Sequence, residues 1–211
     1  MAADSTGFST RRYETWLSLR RDRGVKRGWL KLHVVVALES LAILSLAITR
    51  GTRHDSPVLK RLLKPIPRGQ GDFLADSAYL SRANCSLVAG KGRKPFIRPK
   101  ANTKPRGRGS TAWREMLAFY RGDGEAFMAR YHGRSRAESV WSVLKGVYGN
   151  SLSSKKKGMQ VRELHLRTIA YNMGVANLAE LSRRLKTTSG TQPAWRLTYQ
   201  IVPRRSSRPW G

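Results

Sequence analysis

Acidic residues are scarce in this chain: 13 Asp plus Glu stand against 41 Lys plus Arg, a net charge of +28. A surface so one-sided repels itself, so a polyanionic partner is expected, nucleic acid first. An anionic membrane surface comes second, but the sequence offers no long basic amphipathic helix with a bulky apolar face to serve it. There is one cysteine, Cys85. An intrachain disulfide framework is therefore excluded, and no Cys/His zinc spacing occurs. Cys85 reads as a small core residue in a reducing, cytosolic setting. No basic segment followed by an apolar run opens the chain, so no signal peptide is expected. The longest apolar stretch, Val34 to Ile48, contains Glu39 and falls short of the about 20 residues that span a bilayer. Internal repeats are absent.

What is present divides into strands early and helices late. Residues 29–37 are rich in β-branched side chains and read as a strand, and Ile43 to Thr49 reads as its antiparallel partner across a turn near Glu39–Leu41. Ser56-Pro57 starts a helix, with Asp55 placed to support its N-terminus. A short strand ends at Asp76, a helix over about 80–89 stops at Gly90, and Lys94 to Pro99 forms another strand. Helices are expected over 111–121, 124–130, 134–148 and 160–185, the last with Leu164, Ile169, Ala170, Met173 and Leu178 among its apolar positions. Residues 10–28 read as a basic loop or hairpin rim, and 100–110 and 151–158 as basic loops. The main domain is expected at 1–186, with 187–211 a basic, loosely held tail. The pattern is that of an α/β protein: a mixed sheet flanked by helices.

Four residues carry a suggestive spacing, Y-x2-R-x3-E-x6-K, at Tyr131, Arg134, Glu138 and Lys145. On one helix they fall within an arc of roughly 60°. The opposite arc carries Val140, Val143, Leu144 and Val147, with Ala137, Trp141 and Tyr148 beside it, as a buried stripe. A carboxylate between two fixed cations and an aromatic suits a metal ligand facing a phosphate backbone. The ordinary alternative is a solvated face of charge pairs. Asp4 on the first strand, Asp76 at a strand end and Glu138 on this face lie on separate elements and can converge on two divalent cations. All-oxygen ligands favour Mg2+ or Mn2+ over zinc. Asp72 shares a strand face with Asp76 but lies about 13 Å away at strand rise, so both cannot hold one ion pair. Asp76 is preferred because α/β sheets place their sites at the C-terminal ends of strands. Its ordinary role is to cap the next helix, and that of Asp4 is an unfixed terminus.

These motifs, in order, resemble the catalytic domain of DDE transposases of bacterial and archaeal insertion sequences, the group with a Tyr-Arg-Glu-Lys signature. The resemblance rests on Asp4-Ser-Thr-Gly-Phe-Ser9, Lys31-Leu32-His33 with its valines, His54-Asp55-Ser56, Leu74-Ala-Asp76-Ser-Ala-Tyr79, Tyr131 through Lys145, Glu163 and Ala170-Tyr171-Asn172. It spans roughly 4–178. It implies a ribonuclease-H-like fold. It further implies cleavage and strand transfer at double-stranded transposon ends, with Asp4, Asp76 and Glu138 holding two Mg2+ or Mn2+ ions and Tyr131, Arg134 and Lys145 gripping DNA. It allows a homodimer in the DNA complex and places the protein in the cytoplasm at the nucleoid. His33 and His54 receive no role and read as core or hydrogen-bonded histidines. Only three residues precede Asp4, so the helical end-recognition domain usual in the family is expected to be missing. The expectation is an undersized first strand and a shortened copy with little or no transposition activity alone. Two readings compete with it: a basic nucleic-acid-binding protein without catalysis, and a nuclease of the same fold without strand transfer.

Overall fold

A computed structural model describes residues 1–10, 28–103 and 109–188. Five strands, β1 (Ala2–Ser9), β2 (Trp29–Val36), β3 (Ile43–Arg50), β4 (Asp72–Ala75) and β5 (Lys94–Ile97), form one sheet in the order β3-β2-β1-β4-β5. β1 to β3 run antiparallel in succession, and β4 and β5 run parallel to β1. Among the described residues, six α-helices flank the sheet: α1 (Leu59–Leu63), α2 (Arg82–Gly90), α3 (Thr111–Gly122), α4 (Gly124–His132), α5 (Arg136–Tyr148) and α6 (Lys157–Thr188). This is the mixed, helix-flanked sheet of a ribonuclease-H-like fold. No helix among the described residues is long and apolar enough to cross a membrane.

The valine run explains why β2 lies inside. Leu32, Val34, Val35 and Val36 are all essentially inaccessible, as a strand covered on both faces requires. The β2–β3 turn contains neither Gly nor Asn, and Leu41 takes a φ of 62°, a left-handed conformation costing on the order of 1 kcal/mol. Partners on α6 hold it there. The Tyr171 hydroxyl donates to the Leu41 carbonyl at 3.0 Å, and the Asn172 side chain satisfies both the N–H and the C=O of Ile43, at 2.9 and 2.8 Å. The Ala170-Tyr171-Asn172 motif therefore closes the sheet by gripping one hairpin.

Several expectations are corrected. β1 is not undersized: it has eight residues, all paired with β2, because the strand extends downstream of Asp4. Its pairing with β4, in contrast, covers two residues only. The buried stripe of α5 is Ala137, Val140, Trp141 and Leu144, while Val143 and Val147 are exposed. The helix is rotated because Trp141, with a polar N–H to satisfy, turns inward to β1. On α6, Leu164 is buried but Ile169 and Met173 face outward. α6 runs Lys157–Thr188, longer than the expected helix over 160–185. Most of the basic rim, residues 104–108 of the loop at 100–110, and the tail from 189 lie outside the described residues. Cys85 is a fully buried core residue whose thiol burial pushes up to about 12.

Candidate active site

The β1–β4 ladder pairs Ala2 with Leu74 and Ala3 with Ala75. One further step of the same register sets Asp4 beside Asp76, on strands about 4.8 Å apart. Beyond the end of the ladder the two carboxylates lie near enough for the charge of Asp76 to act on Asp4. Asp4 Oδ2 accepts from the Trp141 indole N–H at 3.0 Å, and Oδ1 accepts from the Ser5 backbone N–H at 2.9 Å. Burial raises the pKa of Asp4, and the charge of Asp76 adds to this, against the opposing pull of Trp141, Ser5 and Arg134. Asp76 also caps the 3-10 turn Ser77–Tyr79, accepting from the Ser77 N–H at 2.6 Å. Asp72 lies at the other end of β4, where Arg130 is 3.8 Å from its carboxylate.

Arg134 sits among the acids. Its Nη1 is 3.4 Å from Asp4 Oδ1 and its Nη2 is 3.4 Å from Glu138 Oε1. Burial works against the charge of the guanidinium, yet Tyr131, Asp4, Asp76 and Glu138 around it raise its pKa. Its floor is Tyr131, whose ring centroid lies 5.8 Å from the guanidinium carbon. Tyr131 in turn stacks on Phe127 and is only 7% exposed. The turn lies against β4: a Cβ on Gly133 would stand 3.4 Å from Leu74 Cδ1, the edge of ordinary contact.

The expectation of one helical face for all four signature residues is corrected. Tyr131 lies in the last turn of α4, Arg134 sits in a 3-10 turn (Gly133–Ser135), and only Glu138 and Lys145 lie on α5. A 3-10 turn advances by three residues rather than 3.6, so the arc does not carry across it. Lys145 is two helical turns, about 10 Å, along α5 from Glu138. Its ammonium is 5.7 Å from the Phe8 ring centroid, so the fold does not bring it to the acids.

Three carboxylates from three elements thus surround one guanidinium. Among the described residues, no trio of His, Cys, Asp or Glu side chains is gathered tightly enough to hold an ion as it stands. Glu138, 61% exposed, meets Asp4 only across Arg134. The donor chemistry nevertheless fits a hard divalent ion. Every candidate ligand is a carboxylate oxygen, and Arg134 already stands as a cation between two of them.

Behind the acids, on the other face of β1, lies a buried polar layer. Asp55 does not cap the helix after it, as its position suggests. It turns back to accept from Ser5 Oγ at 2.9 Å and to pair with the Lys31 ammonium. His33, with no exposed surface, has Nδ1 3.2 Å from the Tyr79 hydroxyl and Nε2 2.9 Å from Thr49 Oγ1. His54, by contrast, is exposed. Burial lowers the pKa of His33 to about 4, with Lys31 adding and Asp55 opposing. Between pH 6.5 and about 4 the unfolded chain therefore binds the proton that the folded chain refuses, and stability falls as pH falls. Urea unfolding at pH 7.5 and 4.5 is expected to show wild type losing roughly 2 to 3 kcal/mol more than His33→Gln over this interval.

Trp141 and Ser5 are the partners that the sequence reading missed. The available signals were modest: a Trp three residues after Glu138, whose indole N–H needs a partner when buried, and the residue next to Asp4. On the far side, Glu163 accepts from the Ser153 and Ser154 N–H groups at 3.0 and 2.9 Å and from Arg167 at 2.6 Å. It is a loop anchor that sets the approach to α6, remote from the acids in its contacts.

Residues 1–173 match the sequence model of the family described as "Transposase DDE domain". No curated protein matches the chain. A cryo-EM structure of the piggyBac transposase synaptic complex with hairpin DNA is similar over 99% of this chain and 58% of its own, at 12% identity and a TM-score of 0.46, so the chain spans little more than half the length of that protein. With the family model covering most of its length, the chain belongs to the DDE transposase domain family.

Proposed function

We propose that this domain cleaves and transfers DNA strands at insertion-sequence ends by metal-dependent phosphodiester chemistry. Asp4, Asp76 and Glu138 would hold two Mg2+ or Mn2+ ions. When bound, such ions lower the pKa of an attacking water or 3′-OH and offset charge on the leaving oxygen. The observation that carries this reading is the register that sets Asp4 beside Asp76, with Arg134 bridging Asp4 to Glu138.

The chain's own residues have separable tasks. Trp141 and the Ser5 N–H each hold one oxygen of Asp4, fixing its rotamer and leaving the remaining lone pairs for a ligand. Arg134, on its Tyr131 floor, offers a planar donor fork to a phosphate once it leaves the carboxylates. Tyr131 acts through Arg134 rather than by touching DNA over a broad surface. Lys145 supplies a phosphate contact farther along the duplex. Net +28 provides the general attraction.

The test is nicking of supercoiled plasmid by the purified chain. Nicking is expected in Mg2+ or Mn2+ and none in EDTA. Salt-sensitive DNA binding with no cation-dependent nicking would instead favour a basic nucleic-acid-binding protein without catalysis.

A further inference from the structure

The outer face of α6 carries an apolar stripe that the fold leaves uncovered. Leu166, Ile169 and Met173 are 65, 55 and 62% exposed, and Met159 is exposed one turn earlier. From Arg162 through Leu166, Ile169, Met173 and Ala176 to Glu180 the intervals alternate between four and three residues, the seam of a helix pair. The helix is not free to roll and bury this seam. Its other side is committed, with Leu164, Thr168 and Tyr171 buried and Arg167 donating to the Gly149 and Ser151 carbonyls at 3.0 and 2.8 Å.

The two ends of the seam carry opposite charges. Arg162 lies two heptad steps before Ile169 and Glu180 two after Met173. Among the described residues no carboxylate pairs with Arg162, whose Nη1 rests 3.8 Å from Met159 Sδ. Glu180 accepts from Arg183 and Arg184 of its own helix, one on each oxygen, which leaves lone pairs on both. The pattern is self-complementary in one direction. In a parallel pair, Arg162 would face its own counterpart and Glu180 its own, and like charges repel. In an antiparallel pair with the two-fold axis at the level of Tyr171, Ile169 faces Met173, Leu166 faces Ala176 and Arg162 faces Glu180, each twice.

We propose that α6 docks through this seam on α6 of a second copy of the chain, antiparallel. The interface is narrow, at the low end for specific association, so a micromolar dissociation constant is expected. Two copies at +28 repel at long range, and salt screens that repulsion more than it weakens contacts at ion-pair distance. The pairing requires neither the three acids nor DNA, so it goes beyond the proposed chemistry and is tested apart from it.

Sedimentation equilibrium of the full chain without DNA provides the test, from about 1 to 200 µM at about 0.15 M salt, where the Debye length is about 8 Å. A monomer–dimer equilibrium is expected. Ile169→Glu sets an unpaired charge in the apolar centre twice per dimer and is expected to weaken association at least about 100-fold. Met173→Glu is expected to do the same and serves if the first variant does not fold. Arg162→Glu and Glu180→Arg are each expected to weaken association about tenfold, and the two together to recover it. Losses that add in the double variant would overturn the antiparallel pairing. A dimer indifferent to Ile169→Glu and Met173→Glu would place the contact elsewhere and overturn the inference. A wild type monomeric throughout would overturn it too, and a lowered melting temperature of Ile169→Glu would then assign the seam to other residues of the same chain.

Discussion

Glu138→Gln is expected to abolish cation-dependent nicking, by on the order of 1,000-fold, while leaving the unfolding midpoint almost unchanged. The two halves of this result have separate physical origins. Glu138 is 61% exposed on the first turn of α5, and its ion pair is the 3.4 Å contact with Arg134. An exposed i,i+4 pair contributes about 0–1 kcal/mol, so losing it scarcely disturbs the fold. The chemical loss comes from charge. Gln keeps the length and shape of Glu but removes the negative oxygen that a hard divalent ion requires. Metal stabilisation of a phosphoryl transition state is worth several kcal/mol, and about 4 kcal/mol corresponds to 1,000-fold in rate. Arg134 sharpens the effect, because without Glu138 its guanidinium is left to Asp4 alone, which favours the metal-free arrangement. Nicking rates in Mn2+, set beside thermal melts of the same preparations, check both halves. Undiminished nicking by the Gln variant would remove Glu138 from the site.

The sheet was legible from composition because its signal is local. The run Leu32 to Val36 can only be a strand covered on both faces, and the second strand follows it within reach of a hairpin. The aspartates were legible by scarcity, since each of 13 acids in so basic a chain invites a reason. What escaped depends on contacts between distant segments. The tilt of α5 is set by the Trp141–Asp4 bond, which spans 137 positions, and that bond turns Val143 and Val147 to solvent. The break between Tyr131 and Glu138 is a 3-10 turn, invisible to a 3.6-residue period. Asp55 looked like a helix cap because Ser56-Pro57 follows it. Its real partners, Ser5 and Lys31, lie on strands that only the sheet register brings near.

Phe127→Ala is expected to lower stability by about 3–5 kcal/mol, or roughly 10 °C in melting temperature for a domain of this size. Phe127 has no exposed surface and sits at the centre of an aromatic cluster, with ring centroids 5.3 Å from Phe96, 6.0 Å from Phe119, 5.1 Å from Tyr120 and 6.5 Å from Tyr131. Truncation leaves a cavity that four rings on three elements cannot all close, and the cost grows with the volume left empty. Phe127→Leu retains most of the side chain and is expected to cost much less. The consequences for the site should be uneven. Tyr131 loses its stacking partner and with it the fixed floor under Arg134. Asp4 and Asp76 are placed by β1, β4 and the polar layer behind them, none of which includes Phe127. Below its melting transition the Ala variant is therefore expected to retain Mn2+ affinity while binding DNA more weakly. Equal losses of both would show that α4 supports the acids as well as the guanidinium, and an unchanged melting temperature would show that the cluster does not hold α4 to the sheet.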